Sequence, residues 1–390
     1  MGNILTYVQT ELRLFSERPF SAVDSLVLAE LAYVRFDGVV PGFQRLRRGV
    51  RLRDLYKAEL MGVLFPSLPA EERAAISGGR YPASSQNRYA LLAAAAMSPR
   101  FRDIRLRFYA EEQDDARMQQ FAAVTFLLPG REAFIAFRGT DSSLTGWKED
   151  FNMALISPIP SQEAAAKYLA AVGRRLFFRR ALMTGGHSKG GNLAVYAAMT
   201  APPELQKRIA AVYNHDGPGF RTGVLDNPGY RAIEPRIVKI LPQSSIVGML
   251  LSDSDDYAVV ESRRFGPMQH DAFSWEVKDG NFVYAEKLTD GAEYMNRTLK
   301  AWLESMPDAQ RQALIEALFH VLESAGADTI EDIVEGRMKS LRALISQYRS
   351  LDADTRKMIA RLVRALLKLS LKNIRRERAQ KESTAPLLEN

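Results

Sequence analysis

Cysteine is absent from all 390 residues, which removes disulfides and thiolate metal sites and, with them, the small secreted disulfide scaffolds. The absence agrees with a reducing cytoplasm. Long apolar runs are missing as well: the longest, Leu91 to Met97, falls far short of the ~20 residues of a membrane span. The start, MGNILTYVQTELRLFSERPF, lacks the basic opening, apolar centre and small-residue cleavage site of a secretory signal, so a cytoplasmic protein is expected. Histidine is scarce. With only His187, His215, His270 and His320 in the chain, the search for a general base becomes an enumeration.

What is present is ordinary globular material, 46% hydrophobic and 25% charged, in a chain long enough for one catalytic domain and an appendage. The net charge of +7 is unevenly spread. Ten Lys and Arg between Arg356 and Lys381 face one acid, Glu377, so this tail carries +9 of the net +7 and the rest of the chain sums to −2. The pI of 9.4 therefore reflects the tail, and no nucleic-acid partner is expected. Ile359, Leu362, Val363 and Leu366 share one helical face of the tail and Arg361, Arg364, Lys368 and Lys372 another. That pattern fits a basic amphipathic helix on an anionic membrane surface, or a bundle helix with a solvated basic face.

Residues 1–100 read as mostly helical, with Asp24 as an N-cap candidate before SLVLAELAYVRF and a second helix over Gln86 to Met97. From about residue 104 the period changes. IRLRFYAE, FAAVTFLL and AFIAFRG predict a hairpin or meander, then a helix near Ser161–Phe178, the run ALMTGG, a helix from Lys189 to Met199, and the runs IAAVYNHD and RIVKILPQ. Continuous apolar strands alternating with helices predict a largely parallel, doubly wound α/β sheet. DYAVVES and FSWEVKDGNFVYAE close the strand region, with Asp279-Gly280 as a hairpin turn. After residue 290 only helical segments follow, near 289–325, 328–349 and 353–378. The expected division is a domain over 1–290 and a helical region over 291–390.

Gly186-His187-Ser188-Lys189-Gly190 falls between a predicted buried strand and a predicted helix, the setting in which G-x-S-x-G marks a nucleophile elbow. The turn is too sharp for side chains at the flanking positions, and the helix behind it points its amino end at the site, where the Lys189 amide can meet an oxyanion. Ser188 is the candidate nucleophile. His187 is too close in the chain to act as its base, and His320 lies on the helix ALIEALFHVLE, outside the sheet region. His270 and His215 remain, and His270 fits the order serine, acid, histidine. Asp216, opening Asp216-Gly217-Pro218-Gly219-Phe220 after a strand, is the preferred acid, with Asp253, Asp255 and Asp256 as rivals. Thr140, after Phe137-Arg138-Gly139, is placed for the second oxyanion donor, and Arg138 also reads as a structural partner of a buried acid.

AFIAFRGTDSSLTGWKEDFNMAL followed by GGHSKGGNLAVYAA resembles the class 3 lipases, with their F-R-G-[TS] strand end, W-x-x-D segment and G-H-S-x-G-G elbow. MQHDAFSWEV and Asp216–Phe220 are similar to an uncharacterised bacterial branch of that clan. The resemblance covers about residues 1–290. It implies an α/β-hydrolase fold, Ser188 as nucleophile, His270 as base, and Thr140 with the Lys189 amide as oxyanion hole; acyl transfer to water by such a triad needs no cofactor. One departure concerns the acid: where those lipases carry Asp-x-Val, this chain reads Gln243-Ser244-Ser245-Ile246-Val247. The D-P-x-x-P-x-F turn of the pancreatic lipase group is closer to Asp216–Phe220. The expected activity is hydrolysis of carboxylic esters, lipid or small-molecule; a catalytically weak binding scaffold and an acyltransferase are the alternatives.

Overall fold

The computed structural model describes residues 1–44, 48–66, 84–140, 149–150, 152–153, 156–176, 180–221, 223–251, 256–304 and 307, with isolated positions between 349 and 364. The predicted helices at 328–349 and 353–378, the basic face of Arg356–Lys381, His320, Asp253 and Asp255 lie almost wholly or wholly outside these residues.

The chain opens with helices α1 (Ile4–Thr10) and α2 (Ala22–Leu31), then a short strand β1 (Val50–Arg51) and helices α3 (Ala58–Leu64) and α4 (Ser84–Met97). Strands β2 (Arg105–Asp114), β3 (Gln119–Leu127) and β4 (Glu132–Phe137) follow. Next come α5 (Pro160–Arg175), β5 (Ala181–His187), α6 (Lys189–Met199), α7 (Pro203–Gln206) and β6 (Ile209–His215). The series ends with α8 (Pro228–Ile233), β7 (Ile237–Pro242), β8 (Ala258–Val260), the short strands β9 (Val277–Lys278), β10 (Asn281–Phe282) and β11 (Tyr284–Ala285), and α9 (Asp290–Glu304).

Nine strands form one mixed sheet in the order β1-β2-β3-β4-β5-β6-β7-β8-β11. The meander β1 to β4 is antiparallel, β4 through β8 are parallel, and β11 returns antiparallel to β8. Asp279 and Gly280 both have positive φ, as a two-residue hairpin turn requires, and join β9 to β10 as a separate two-stranded ribbon.

Alternation along the strands sorts side chains into two cores. In β4, Phe134 and Ala136 join the core beneath the N-terminal helices, whereas Ala133, Ile135 and Phe137 join the one beneath α5 and α6. The described N-terminal helices therefore form one of the two layers covering the sheet, with Ile4, Tyr7, Leu26, Val27 and Leu92 fully or almost fully buried. A mixed sheet with five parallel central strands, covered on both faces by helices, is the α/β-hydrolase fold.

Asp24 is not the N-cap of its helix. That place is taken by Ser21, and Asp24 sits three residues on as the return partner of a capping box. Its carboxylate also pairs with Arg100, which donates Nε to Oδ1 (2.8 Å) and Nη2 to Oδ2 (2.7 Å), both side chains being wholly buried. Such a pair holds α2 to the turn after α4, and loss of either partner would strand a charge in the core. The SLVLAELAYVRF run is shorter as a helix than its pattern predicts, because α2 ends at Leu31 with Ala32 as its C-cap. Among the described residues, no helix is long and apolar enough to cross a membrane.

Candidate active site

Ser188 follows β5 directly and caps α6 with φ 58° and ψ −135°, a conformation in which a residue with a side chain is strained. Close packing imposes it. A Cβ on Gly190 would stand 2.2 Å from Phe137 O, and one on Gly186 would stand 2.3 Å from the Gly190 carbonyl carbon, so bare backbone is required on both sides of the turn. Gly139 is pressed onto the same point: a Cβ there would lie 2.1 Å from Tyr33 Oη, 2.5 Å from His187 O and 3.2 Å from Ser188 Cβ. Glycine at these positions thus allows the tight strand-to-helix turn at Ser188.

The parallel register aligns His187 of β5 with His215 of β6, and His215 with Ile240 of β7. The residues just beyond, Ser188 and Asp216, extend this ladder, Ser188 N donating to His215 O and Asp216 N to Ile240 O, each at 2.9 Å. Asp216 is buried with φ 51° and accepts three hydrogen bonds. They come from His270 Nδ1 to Oδ2 (2.7 Å) and from Ser245 Oγ (2.5 Å) and Gly248 N (3.1 Å) to Oδ1. Asn214, not Asp216, serves the turn itself, its side-chain oxygen taking Gly217 N at 2.8 Å. The carboxylate on His270 is accordingly that of Asp216, while Asp256 is exposed. The Gln243–Val247 segment contributes as a donor: Ser245 holds the carboxylate in place, and Lys239 Nζ ties back Gly248 O at 2.7 Å.

His215 and His270 part company here. The His215 ring points away from Ser188 into the N-terminal layer, where Nε2 meets Ser25 Oγ at 2.7 Å. Since Ser25 Oγ donates to Ala22 O, it accepts from His215, which is neutral. Burial, reinforced by the charge of His187, pushes its pKa down to about 3. The His270 side chain is 23% exposed, with Nδ1 on Asp216 and no hydrogen bond at the other ring nitrogen among the described residues. Among the described residues no hydrogen bond joins Ser188 Oγ to His270; such bonds commonly close only when substrate arrives.

On the α6 side, Thr140 Oγ1 donates to Asp150 Oδ2 at 2.5 Å, which ties down the segment just beyond β4. Lys189, read from the sequence only for its amide, turns out to have a wholly buried side chain. Its Nζ donates to Glu149 Oε2 at 2.7 Å and to Gln120 O at 3.1 Å, and lies 3.8 Å from Asp150 Oδ1. Arg138 pairs with Glu111 at 2.9 Å, as a structural residue would. On the other side of the sheet, Glu30 and Arg88 gather round His187, a group that local sequence does not reveal because its members come from α2, α4 and the elbow. Among the described residues, no group of three or more His, Asp or Glu is arranged to hold a metal ion.

Two solved lipases are similar in structure at low identity. The crystal structure of M37 lipase shares 14% identity over 59% of this chain and 70% of that chain, with a TM-score of 0.35. That of a lipase from Rhizopus microsporus var. chinensis shares 16% over 52% of this chain and 72% of that chain, with a TM-score of 0.31. No curated protein matches the sequence. The family described as Mbeg1-like matches residues 95–320, more than half of the chain and inclusive of Ser188, Asp216 and His270, and to this family the protein belongs.

Proposed function

We propose that the protein is a serine hydrolase that cleaves carboxylic esters through a Ser188-His270-Asp216 triad. The observation that carries this reading is the coincidence of a strained serine at a strand-to-helix turn with a histidine whose far nitrogen is bonded to a buried carboxylate. His270 Nε2 takes the Ser188 proton as Oγ attacks the carbonyl carbon, and Asp216 keeps the imidazole proton on Nδ1. The oxyanion is met by backbone amides at Thr140 and Lys189, the latter at the open amino end of α6. Collapse of the tetrahedral intermediate expels the alcohol, protonated by His270, and leaves an acyl-Ser188 ester. Water, deprotonated by His270, then releases the acid.

A fluorophosphonate probe and a chain-length series of model esters test the reading together. Wild-type protein should be labelled and should hydrolyse some member of the series, whereas Ser188→Ala should do neither. An unlabelled, inactive wild type would mark a binding scaffold, and transfer of the acyl group to an added alcohol in preference to water would mark an acyltransferase. The basic segment Arg356–Lys381, with its net +9, adds a proposed contact with anionic lipid. Equal co-sedimentation with anionic liposomes with and without residues 353–390 would remove that contact.

A further inference from the structure

The loop that carries His270 is clamped residue by residue. Gln269 accepts from Ser244 N (2.6 Å), donates Nε2 to Arg264 O (2.9 Å), and its carbonyl takes Trp275 Nε1 (2.8 Å). The next carbonyl, that of His270 itself, takes His187 Nε2 at 2.8 Å. A carbonyl oxygen only accepts, so the His187 ring must carry its proton there. The two imidazoles also lie face towards face, their centroids 4.7 Å apart and their planes 31° apart. His187 therefore grips His270 at both backbone and ring, although it stands next to the nucleophile and takes no part in the triad.

The surroundings of His187 fix its own state. Glu30 Oε1 of α2 lies 3.0 Å from Nδ1, a charge contact out of line for a hydrogen bond. Arg88 of α4 donates to the other Glu30 oxygen at 2.9 Å, and its guanidinium lies 3.7 Å above the Tyr33 ring. Asp216, from the end of β6, also acts on the ring charge, and neutral His215 is its neighbour in register. Burial opposes the charged imidazole, but the Glu30 carboxylate outweighs it and His187 ends above its ordinary pKa. Burial would likewise raise Glu30, yet Arg88 and His187 hold its pKa down to about 2.

We propose that His187 is a positioning residue for the general base, its Nε2 donor and ring face fixing where His270 presents Nε2 to Ser188, with Glu30 holding His187 in that orientation. The proposal rests on the triad reading above, and its test has one arm that requires turnover and one that does not. In the first, His187→Phe keeps the ring and removes the donor, whereas His187→Gln keeps a donor of similar reach. With folding checked by circular dichroism, His187→Phe should lower kcat about 10–100-fold with KM within about twofold of wild type, the size expected for a catalytic group displaced by up to an ångström. The loss in kcat/KM, which reports acylation, should be larger for an alkyl ester than for a p-nitrophenyl ester of the same acid, because only the alkoxide needs the proton that His270 returns. His187→Gln should recover most of the rate. A folded His187→Phe with wild-type kcat, equal impairment of both variants, or equal loss of kcat/KM on both esters would overturn the proposal.

The second arm is NMR of 15N-histidine protein, in which four rings give few signals. Wild-type His270 should show a single tautomer protonated at Nδ1, and His187→Phe should broaden it or mix its tautomers; an unchanged His270 signal would overturn the proposal. Absence of both labelling and turnover in wild type would refute the triad reading, and the NMR arm would still decide whether His187 orders His270.

Discussion

The elbow is braced on both faces of the sheet by buried ion pairs, and the two braces are built differently. On the α6 side, Lys189 and Glu149 have side chains 0% and 1% exposed, and their polar atoms are occupied. Glu149 also accepts from Gln120 N and Ser161 N, both at 3.2 Å. On the α2 side, Glu30 and His187 touch at 3.0 Å out of line, and against the cost of burial the Glu30 carboxylate holds His187 above its ordinary pKa. The first arrangement is a rigid tie between the elbow, β3 and the segment that holds Thr140. The second joins His187 to His270 through one hydrogen bond and one ring contact. The comparison teaches that the Lys189 side is fixed by saturation of hydrogen bonds, whereas the His270 side hangs on a single imidazole.

Four substitutions would break or sharpen that contrast. The largest effect on rate should come from Asp216→Asn, which leaves the shape of the base side intact but removes the carboxylate that selects the His270 tautomer. A fall in kcat of about 10³–10⁴-fold is expected, measured by steady-state hydrolysis. On the rigid side, Lys189→Met leaves Glu149 charged and uncompensated in the interior, so a destabilisation of about 3–5 kcal/mol should appear in denaturant unfolding. If that variant is as stable as wild type, the tie does not act as a tie.

The third concerns His215, which shares the α2 face with His187 but is neutral. Its folded pKa of about 3 lies below the value of about 6.5 in the unfolded chain, so the folded state binds the proton more weakly. Its contribution is therefore fully present above about pH 6.5 and is lost as pH falls from there towards 3. His187, raised by Glu30, has the opposite sign: its contribution is present below the unfolded pKa and is lost as pH rises through the folded one. His215→Phe should thus flatten the loss of stability between pH 6.5 and 3, by on the order of a few kcal/mol, with activity at neutral pH retained. A steeper acid limb would reverse the assignment. The smallest effect is expected from Asp256→Ala, an exposed residue, with kcat within about twofold of wild type. A loss comparable to that of Asp216→Asn would move the triad acid.

Much of the frame was legible in the chain. The Lys189–Met199 helix, the β5 and β6 runs, the Asp279-Gly280 turn and the elbow glycines all follow from short-range rules of period, turn geometry and close approach. Asp24 was misplaced because a capping box and a buried ion pair draw on the same residue types as an N-cap. The preference for His270 over His215 came from chain order, and what separates them in space is which way each side chain leaves its backbone. Local pattern does not carry that information for a single residue.

By itself, then, the sequence determined the positions of Ser188, the strands and the crossover helices, because each depends on neighbours within a few residues. Only the tertiary structure decided that Asp216 meets His270 Nδ1, that Ser245 donates to Asp216, and that Lys189 points inward to Glu149. It alone also placed Glu30 against His187 and His187 against the His270 carbonyl. Those pairings join residues 29 to 157 positions apart, and the strand register and the burial of charge, not local propensity, bring them together.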